Sequence, residues 1–408
     1  MVTLAGRPKP LEKPLLSEKR LLLLLAAVQF THIMDFMIMM PLGPQLMREL
    51  DISAQQFGGL ISSFALTAGI VGLAAAPFID RFDRRKLLLF CYAGFAVGTL
   101  ACGLSNEAGT LLIARAICGA FGGVGGATIM AIVADVVPPE RRARGMGIIM
   151  TAFSVAAALG VPFGLKLAQW WKWEAPFLVV ATVAAVVWVG LFRILPPVRG
   201  HLTGGKFRSG SDFLELLSNS NAWKGLALMV LMIVGHFTII PFLSPYLVGN
   251  VGLPETSLFL VYLTGGVVTI FTGPLVGRLA DRHGRFRVYV FLVAGACTVI
   301  GLLTSSGPMP VWQTLVLTAF FFTFASGRFV PGQAVISMAV PSTRRGAYMS
   351  LVACSRDLAA GVTAFLGGQV VVEGVDGKLV NFDHLGWVAI AASLVSLWIF
   401  RQVKSVEP

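Results

Sequence analysis

Charged residues are scarce in this chain. Lysine, arginine, aspartate and glutamate make up 13% of its 408 residues, whereas about 25% is usual in a soluble protein. Hydrophobic residues reach 56%, and no polar stretch is long enough to form a separate soluble domain. This balance excludes an ordinary water-soluble fold and indicates a membrane protein.

Two further absences narrow the choice of function. The five cysteines (Cys91, Cys102, Cys118, Cys297 and Cys354) form no CxxC pair and show no regular spacing, so we expect reduced, buried thiols without a disulfide framework. The chain has no GxxxxGK[ST] phosphate-binding loop, so ATP binding is not predicted. We expect no cofactor, and we do not expect an enzyme.

Long apolar runs, by contrast, recur from one end of the chain to the other. A helix that crosses a bilayer needs about 20 apolar residues, and twelve runs meet that requirement. They lie approximately at 21–47, 54–79, 86–106, 109–137, 145–169, 176–196, 222–249, 256–280, 287–306, 311–340, 346–372 and 384–401. The first run lacks a small-residue cleavage site, so it is predicted to be a retained helix and not a signal peptide.

The net charge of +12 is distributed in a regular way. Basic residues cluster in the N-terminal tail, in every second loop and at the end of the chain, whereas the alternate loops hold few. This asymmetry follows the positive-inside rule and places both termini in the cytoplasm. The excess of basic residues therefore reflects the orientation of the loops across the membrane. We predict a multi-pass protein of the bacterial cytoplasmic (inner) membrane and no nucleic-acid partner.

An internal repeat divides the chain in two. The segment "AAAPFIDRFDRRKLLLF" (74–90) matches "LVGRLADRHGRFRVYVF" (275–291), with Asp80 on Asp281 at an offset of 201 residues. Two six-helix halves of like orientation follow from this repeat. The predicted parts are a tail (1–20), an N-terminal bundle (21–196), a cytoplasmic linker (197–221), a C-terminal bundle (222–401) and a second tail (402–408).

Three motifs carry a resemblance to a known family. "GRLADRHGRFR" (277–287) resembles the loop signature of the major facilitator superfamily, "RAICG" (115–119) resembles its R-x-x-x-G motif, and "LGVPFG" (159–164) resembles the proline-glycine motif of proton-driven drug and sugar exporters. The resemblance covers essentially the whole chain. It implies an all-α membrane fold of two pseudo-symmetric six-helix bundles.

The chain departs from the family pattern at five positions. Ala76 and Asp83 replace the two glycines of the first loop copy, and Phe286 takes a usually basic place in the second. Cys118 stands where many relatives have glutamine, and Val161 separates the glycine from the proline of the exporter motif.

Ionisable residues inside the apolar runs are the candidates for function, because an isolated charge at mid-bilayer costs roughly 2.5–3.5 kcal/mol or more. His32 and Asp35 share one face of the first predicted helix, and Met39 follows a turn later. The repeat offset makes His236 the counterpart of Asp35. We expect Asp35 and His236 to face each other, or a common ligand, in the central cavity that the resemblance implies. Satisfied hydrogen bonds in a helix interface are the alternative.

Three arginines lie in similar surroundings. Arg328 is expected to need an anion, and the candidates are Asp35, Asp357 and an acidic substrate, with Gln333 close by on the same helix; a fixed structural ion pair is the alternative. The resemblance implies a role in proton movement for Arg115. Arg356 and Asp357 are predicted to be buried. They are adjacent and point about 100° apart, so they are not expected to pair fully with each other, and we expect at least one to reach a neighbouring helix in a structural bridge.

The repeated basic loops predict a gate at the cytoplasmic side. The family pattern implies a latch in the first half between Asp80, Arg84 and Asp135. Asp281 and Arg285 are the equivalents in the second half, where Ile336 replaces the third member. A topological cluster of charges without a gating role is the alternative.

Prolines add a prediction about helix shape. Pro41 and Pro44, and Pro241 and Pro245, predict kinked ends for the first and seventh helices.

Together these features predict a monomeric secondary transporter that moves a small organic molecule across the membrane by alternating access, with proton-coupled export as the preferred mode. In the preferred mechanism Asp35 takes up a proton, His236 shares it, and Arg328 holds the free carboxylate or an acidic substrate. One alternative is a divalent-metal transporter using Asp35, His236, His32 and Met39. A non-transporting membrane sensor or scaffold ranks last.

Overall fold

The computed structural model describes residues 18–199, 202, 216, 218–342, 344–374 and 376–406. Within these residues, twelve helices are long and apolar enough to cross a membrane. They are α1 (Glu18–Ile38), α2 (Ala54–Ile79), α3 (Arg84–Gly103), α4 (Ala108–Val136), α5 (Arg144–Trp170), α6 (Ala175–Ile194), α7 (Ser220–Gly249), α8 (Glu255–His283), α9 (Arg285–Thr304), α10 (Val311–Ser337), α11 (Arg345–Val370) and α12 (Phe382–Gln402). Each corresponds to one predicted run, so the predicted fold class is confirmed. The predicted tail 1–20 and linker 197–221 lie largely outside the described residues, and the bundle boundaries stay predictions.

Local sequence signals explain where several of these elements begin and break. α2 starts at a capping box, in which the Ser53 hydroxyl accepts the Gln56 backbone N–H and the Gln56 side chain accepts the Ser53 N–H. α1 stops at Ile38 and is followed by a short helix, Gly43–Glu49, while α7 is interrupted after Phe237. The prolines beside both breaks cannot donate a helical hydrogen bond, and the predicted kinks are confirmed.

The remaining irregular elements are small. α5 and α10 each contain a π-helical turn, at Ala156–Gly160 and Phe322–Ser326. A two-stranded antiparallel hairpin, β1 (Val372–Glu373) and β2 (Leu379–Val380), connects α11 to α12. All five cysteines are free, and Cys297 and Cys354 are half-buried, whereas burial of all five was expected.

The two halves meet along two helix pairs. α2 packs against α11, and α5 packs against α8. Gly266 allows α5 and α8 to approach each other closely, because a Cβ added to this residue would lie 2.4 Å from the Cα of Ala158. Small residues that let helix backbones approach closely are typical of contacts inside membranes.

The halves are closed together at one end of the molecule. We call the end at which α1 begins and α12 ends the terminal end, and the opposite end the distal end. At the distal end Arg48 forms an ion pair with Glu255 of the other half, with N–O distances of 2.7 and 3.3 Å. Gln169 donates to the Glu255 carbonyl at 3.2 Å, and the Phe57 and Phe242 rings lie edge to face.

One face of α11 shows where this closure ends. Residues on that face follow at helical spacing and become steadily less accessible from the terminal to the distal end. Gly346 and Ser350 are exposed, Ala353 and Asp357 are half-buried, and Ala360, Ala364 and Gly368 are buried. We interpret this gradient as a cleft between the halves that opens at the terminal end and reaches about half-way along α11.

Candidate functional site

An ion pair lies in the middle of the first half. Nη1 of Arg115 on α4 lies 2.6 Å from Oδ2 of Asp35 on α1, and neither side chain is exposed. The same nitrogen donates to the Asp35 backbone carbonyl at 3.1 Å. Sequence reasoning selected both residues but did not pair them. The structure does not show Asp35 and His236 facing each other, because the Asp35 carboxylate binds a cation within its own half. The other predicted arrangement, a ligand shared by the two side chains, stays a prediction.

This ion pair is incompletely hydrogen-bonded. Oδ1 of Asp35 and Nε and Nη2 of Arg115 have no hydrogen-bond partner among the described residues. The guanidinium lies over the Phe64 ring, 4.5 Å from its centroid, which supplies a weak favourable contact for the cation. Leaving polar atoms of a buried charge pair unsatisfied costs free energy, so the arrangement is not the one that maximises stability.

His32 occupies a separate aromatic pocket. Its ring meets Phe95 and Tyr92 edge to face, with centroid distances of 4.2 and 5.6 Å. Both ring nitrogens are buried without a hydrogen-bond partner among the described residues. The structure therefore places His32 near Asp35 along α1 but directs the two side chains to different neighbours.

His236 lies among phenylalanines of the second half. Its ring is parallel to that of Phe321 at 5.8 Å and perpendicular to that of Phe329 at 5.7 Å. Nδ1 has no partner among the described residues. The ring is half-buried, so it is more accessible than Asp35.

Arg328 on α10 is fully buried and binds neutral groups. It donates to the Ser393 hydroxyl and to the carbonyls of Met232 and Ala325. The expectation that Arg328 pairs with Asp35 or Asp357 is wrong, since no carboxylate contacts it within the described part of the chain. Carbonyl oxygens and a hydroxyl satisfy the guanidinium hydrogen bonds in place of an anion. Gln333, a turn further along α10, is half-buried.

Aromatic rings connect the two halves beside these groups. Phe36, the residue after Asp35, stacks on Phe237, the residue after His236, at a centroid distance of 5.9 Å. Phe36 also lies 5.1 Å from Phe64, the ring under Arg115. The repeat-related helices α1 and α7 therefore do meet, through phenylalanines and not through Asp35 and His236.

The alternative metal site is not assembled. His32, Asp35 and His236 each have different neighbours, and the described residues contain no group of three His, Cys, Asp or Glu side chains that would hold an ion. Met39, the fourth proposed ligand, is fully buried in the hydrophobic core.

The three residues of the predicted latch in the first half pair with one another at the terminal end, and a gating role for them stays a prediction. Arg84 contacts Asp135 at 2.5 Å through Nε and Asp80 at 3.0 Å through Nη2. In the second half, Arg285 instead donates to the Met338 sulfur at 3.1 Å. No ion pair of Asp281 occurs among the described residues, as expected from the apolar residue at 336.

Asp83, adjacent to this latch, holds the start of the linker. Its carboxylate accepts the Val198 N–H at 3.2 Å, the Arg199 Nε at 2.7 Å and the Arg85 N–H at 3.0 Å. Burial acts to raise the pKa of Asp83, but these hydrogen bonds outweigh it and hold the pKa below its usual value. Sequence reasoning missed this contact. The replacement of a motif glycine by Asp83 was the signal that pointed to it.

Arg356 and Asp357 correct another prediction. Nε and Nη2 of Arg356 both lie 2.9 Å from Oδ1 of Asp357, whereas we expected the two side chains to point too far apart to pair. The long arginine side chain folds back across the helix surface and closes the gap of about 100°. Both side chains are accessible, at 48% and 25%, so the predicted burial is also wrong.

Comparison with known sequences gives a consistent result. A sequence model described as "Major Facilitator Superfamily" matches residues 25–364 and 227–407. The chain is 26% identical over 327 residues to the "Uncharacterized MFS-type transporter YceJ" of Bacillus subtilis (strain 168), covering 80% of this chain and 82% of the relative. It is 23% identical over 254 residues to the "Probable sugar efflux transporter" of Helicobacter pylori (strain G27), covering 61% of this chain and 63% of the relative.

Solved structures show the same fold at low sequence identity. The crystal structure of a D-xylose-proton symporter matches with a TM-score of 0.75 at 16% identity, covering 95% of this chain and 99% of that chain. A bacterial homolog of the human lysosomal transporter Spinster, in an inward-facing and unoccupied conformation, matches with a TM-score of 0.69 at 16% identity, covering 97% and 100%.

Proposed function

The chain belongs to the major facilitator superfamily of membrane transporters, and on that basis we propose that it is a proton-coupled secondary transporter that exports a small organic solute. The observation that carries the proposal is the fully buried, incompletely hydrogen-bonded pair of Asp35 and Arg115. Ionisable side chains inside transmembrane segments are typical of proton relays in transporters.

Asp35 is the proposed proton carrier. Binding of a proton neutralises its carboxylate and removes the attraction that holds Arg115 against it. Arg115 is then a buried cation beside the Phe64 ring, a costly arrangement that favours a second conformation. The pair thus gives the first half two arrangements that differ by one proton.

The aromatic rings provide a physical connection from this pair to the other half. Phe64 contacts Arg115 and Phe36, and Phe36 stacks on Phe237. A movement of Arg115 therefore displaces a ring at the contact between α1 and α7. In the proposed mechanism this displacement biases the rocking of the two bundles about the midplane.

Orientation and direction are part of the same proposal. The alternation of basic loops supports the placement of the terminal end on the cytoplasmic side. The cleft inferred above would then open to the cytoplasm. Export is supported by the exporter-like "LGVPFG" motif and by the description of the Helicobacter pylori relative as a sugar efflux transporter. We assign the protein to the bacterial inner membrane with both termini inside.

Proton flux in liposomes tests the proposal. The purified protein is reconstituted with a trapped pH-sensitive dye and challenged with a panel of sugars, organic acids and amino acids. We expect a solute-dependent proton flux that Asp35→Asn abolishes and that Asp51→Asn, at an exposed position before α2, leaves intact. Undiminished flux in Asp35→Asn would contradict the assignment of the proton carrier.

A further inference from the structure

Arg356 and Asp357 form a second charged pair inside the membrane-spanning region, and the proton mechanism does not use it. They lie at the middle of α11, which runs from Arg345 to Val370. Unlike Asp35 and Arg115, both side chains are accessible, at 48% and 25%.

The Arg356 and Asp357 side chains are accessible from the cleft between the two halves. Asp357 lies on the α11 face that is exposed at Gly346 and buried from Ala360 onward. It is therefore the accessible residue of that face that lies deepest in the cleft. Arg356 is the residue before it on α11, and about half of its side chain is open. A charged pair at mid-bilayer is tolerated where it borders water and not where it faces lipid tails.

The hydrogen bonding of the pair leaves one edge of each group free. Both nitrogens of Arg356 that reach Asp357 contact the same oxygen, Oδ1. Nη1 of Arg356 and Oδ2 of Asp357 make no hydrogen bond within the described part of the chain. A water-exposed ion pair contributes only about 0–1 kcal/mol, so a ligand with complementary charges can compete for it.

The other charged side chains considered at this depth are buried away from the cleft. Asp35 and Arg115 are fully buried against each other, and Arg328 is fully buried against neutral oxygens. α1 and α7 contact each other instead through the rings of Phe36 and Phe237. The two accessible charges, on Arg356 and Asp357, therefore sum to zero, and the rings at the contact between α1 and α7 are apolar.

We propose that Arg356 and Asp357 recognise a small zwitterionic solute with an apolar body, whose carboxylate binds the guanidinium and whose ammonium binds Oδ2 of Asp357. A guanidinium fork matches a carboxylate geometrically, and a zwitterion keeps the cleft neutral, whereas a lone anion or cation leaves one member of the pair opposed by like charge. This inference names the substrate class of the transporter proposed above and rests on that function.

Binding to the purified full-length protein tests the proposal. The probes are L-leucine and L-phenylalanine, each with its N-acetyl derivative, which lacks the ammonium, and its amide, which lacks the carboxylate. Binding is followed by equilibrium dialysis and by the rise in melting temperature that a ligand of the folded state produces. We expect at least one zwitterion to bind and both of its derivatives to bind at least tenfold more weakly.

Variants locate the site. Arg356→Gln and Asp357→Asn should each weaken binding at least tenfold, while Arg401→Gln, the same chemical change at the end of α12, should not. The double variant R356Q/D357N removes both charges together, so it should fold even where a single variant does not, and it should also fail to bind. Undiminished binding by the double variant, equal binding of the derivatives, or no binding of either zwitterion would overturn the inference.

The proposed function fails in a different way. If a sugar drives proton flux and neither zwitterion binds, the transporter proposal stands and the zwitterion inference is wrong. If a zwitterion binds at Arg356 but no solute drives proton flux, the recognition element stands and proton coupling is wrong.

Discussion

The Asp35 carboxylate and the Arg115 guanidinium lie 2.6 Å apart between α1 and α4, with both side chains inaccessible. Replacing one member leaves a buried charge without its counter-ion, which typically costs about 3–5 kcal/mol. We therefore expect Arg115→Gln to lower the melting temperature of the purified protein strongly. Asp35→Asn is expected to do the same.

The double variant D35N/R115Q supplies the matched comparison. It removes both charges and leaves two amides at the same positions, so we expect its melting temperature to lie above those of both single variants. A double variant whose loss equals the sum of the single losses would show that the two side chains are not energetically coupled.

The helical spans were predictable because apolar runs and scarce charge identify membrane crossings directly. The prolines at 41 and 241 likewise predicted the breaks in α1 and α7, since proline removes a backbone donor wherever the helix lies. Both kinds of signal are local along the chain, so tertiary packing does not change them.

The partner of Asp35 was not predictable from the repeat. Symmetry assigns His236 as its counterpart, but the position equivalent to Arg115 is Val316, so the second half has no matching pair. The rotation of each helix about its axis decides which side chains meet, and the repeat does not determine that rotation. The partner of Asp35 is a buried basic residue of the same half, Arg115, and not the residue that the repeat makes equivalent.

Asp83 is expected to hold the linker against the first half over the whole neutral pH range. Its pKa is lowered in the folded protein, so its contribution is present above the ordinary aspartate pKa of about 3.9 and is lost only as the pH falls through the lower folded value. Asp83→Asn should weaken the bond to Arg199 and speed trypsin cleavage after Arg199 at neutral pH.

Asp376→Asn, in the exposed loop between β1 and β2, is the control for this cleavage. It should leave the rate at Arg199 unchanged. Equal cleavage rates in the wild type and Asp83→Asn would mean that Asp83 does not restrain the linker.

The ion pair of Arg48 with Glu255 should govern which end of the molecule is open. It joins the halves at the distal end, and its hydrogen bond to Glu255 raises the pKa of Arg48 above its ordinary value. The charge of Arg48 therefore persists at neutral pH and is lost only in strongly alkaline solution. Because the pair is exposed, its contribution to global stability is about 0–1 kcal/mol.

Glu255→Gln should accordingly leave the melting temperature almost unchanged but increase opening at the distal end. The measurement is the labelling rate of a cysteine placed at Gln169, in a background without the native cysteines. The exchange R48E/E255R should restore slow labelling, whereas continued fast labelling in the exchanged protein would exclude a direct role for the ion pair.

Gly266 should be required for the close approach of α5 and α8. A Cβ at this position meets the Cα of Ala158 at 2.4 Å, so Gly266→Ala forces the halves apart at a backbone that has no flexible end to move. Overpacking of this kind costs about 1–3 kcal/mol.

Gly273 lies two turns further along the same helix with nothing within 4 Å of its Cβ position, and Gly273→Ala should be neutral or stabilising by up to about 1 kcal/mol. Melting temperatures of the two variants separate the effects, and an equal shift for both would show that Gly266 is not needed for contact between the halves.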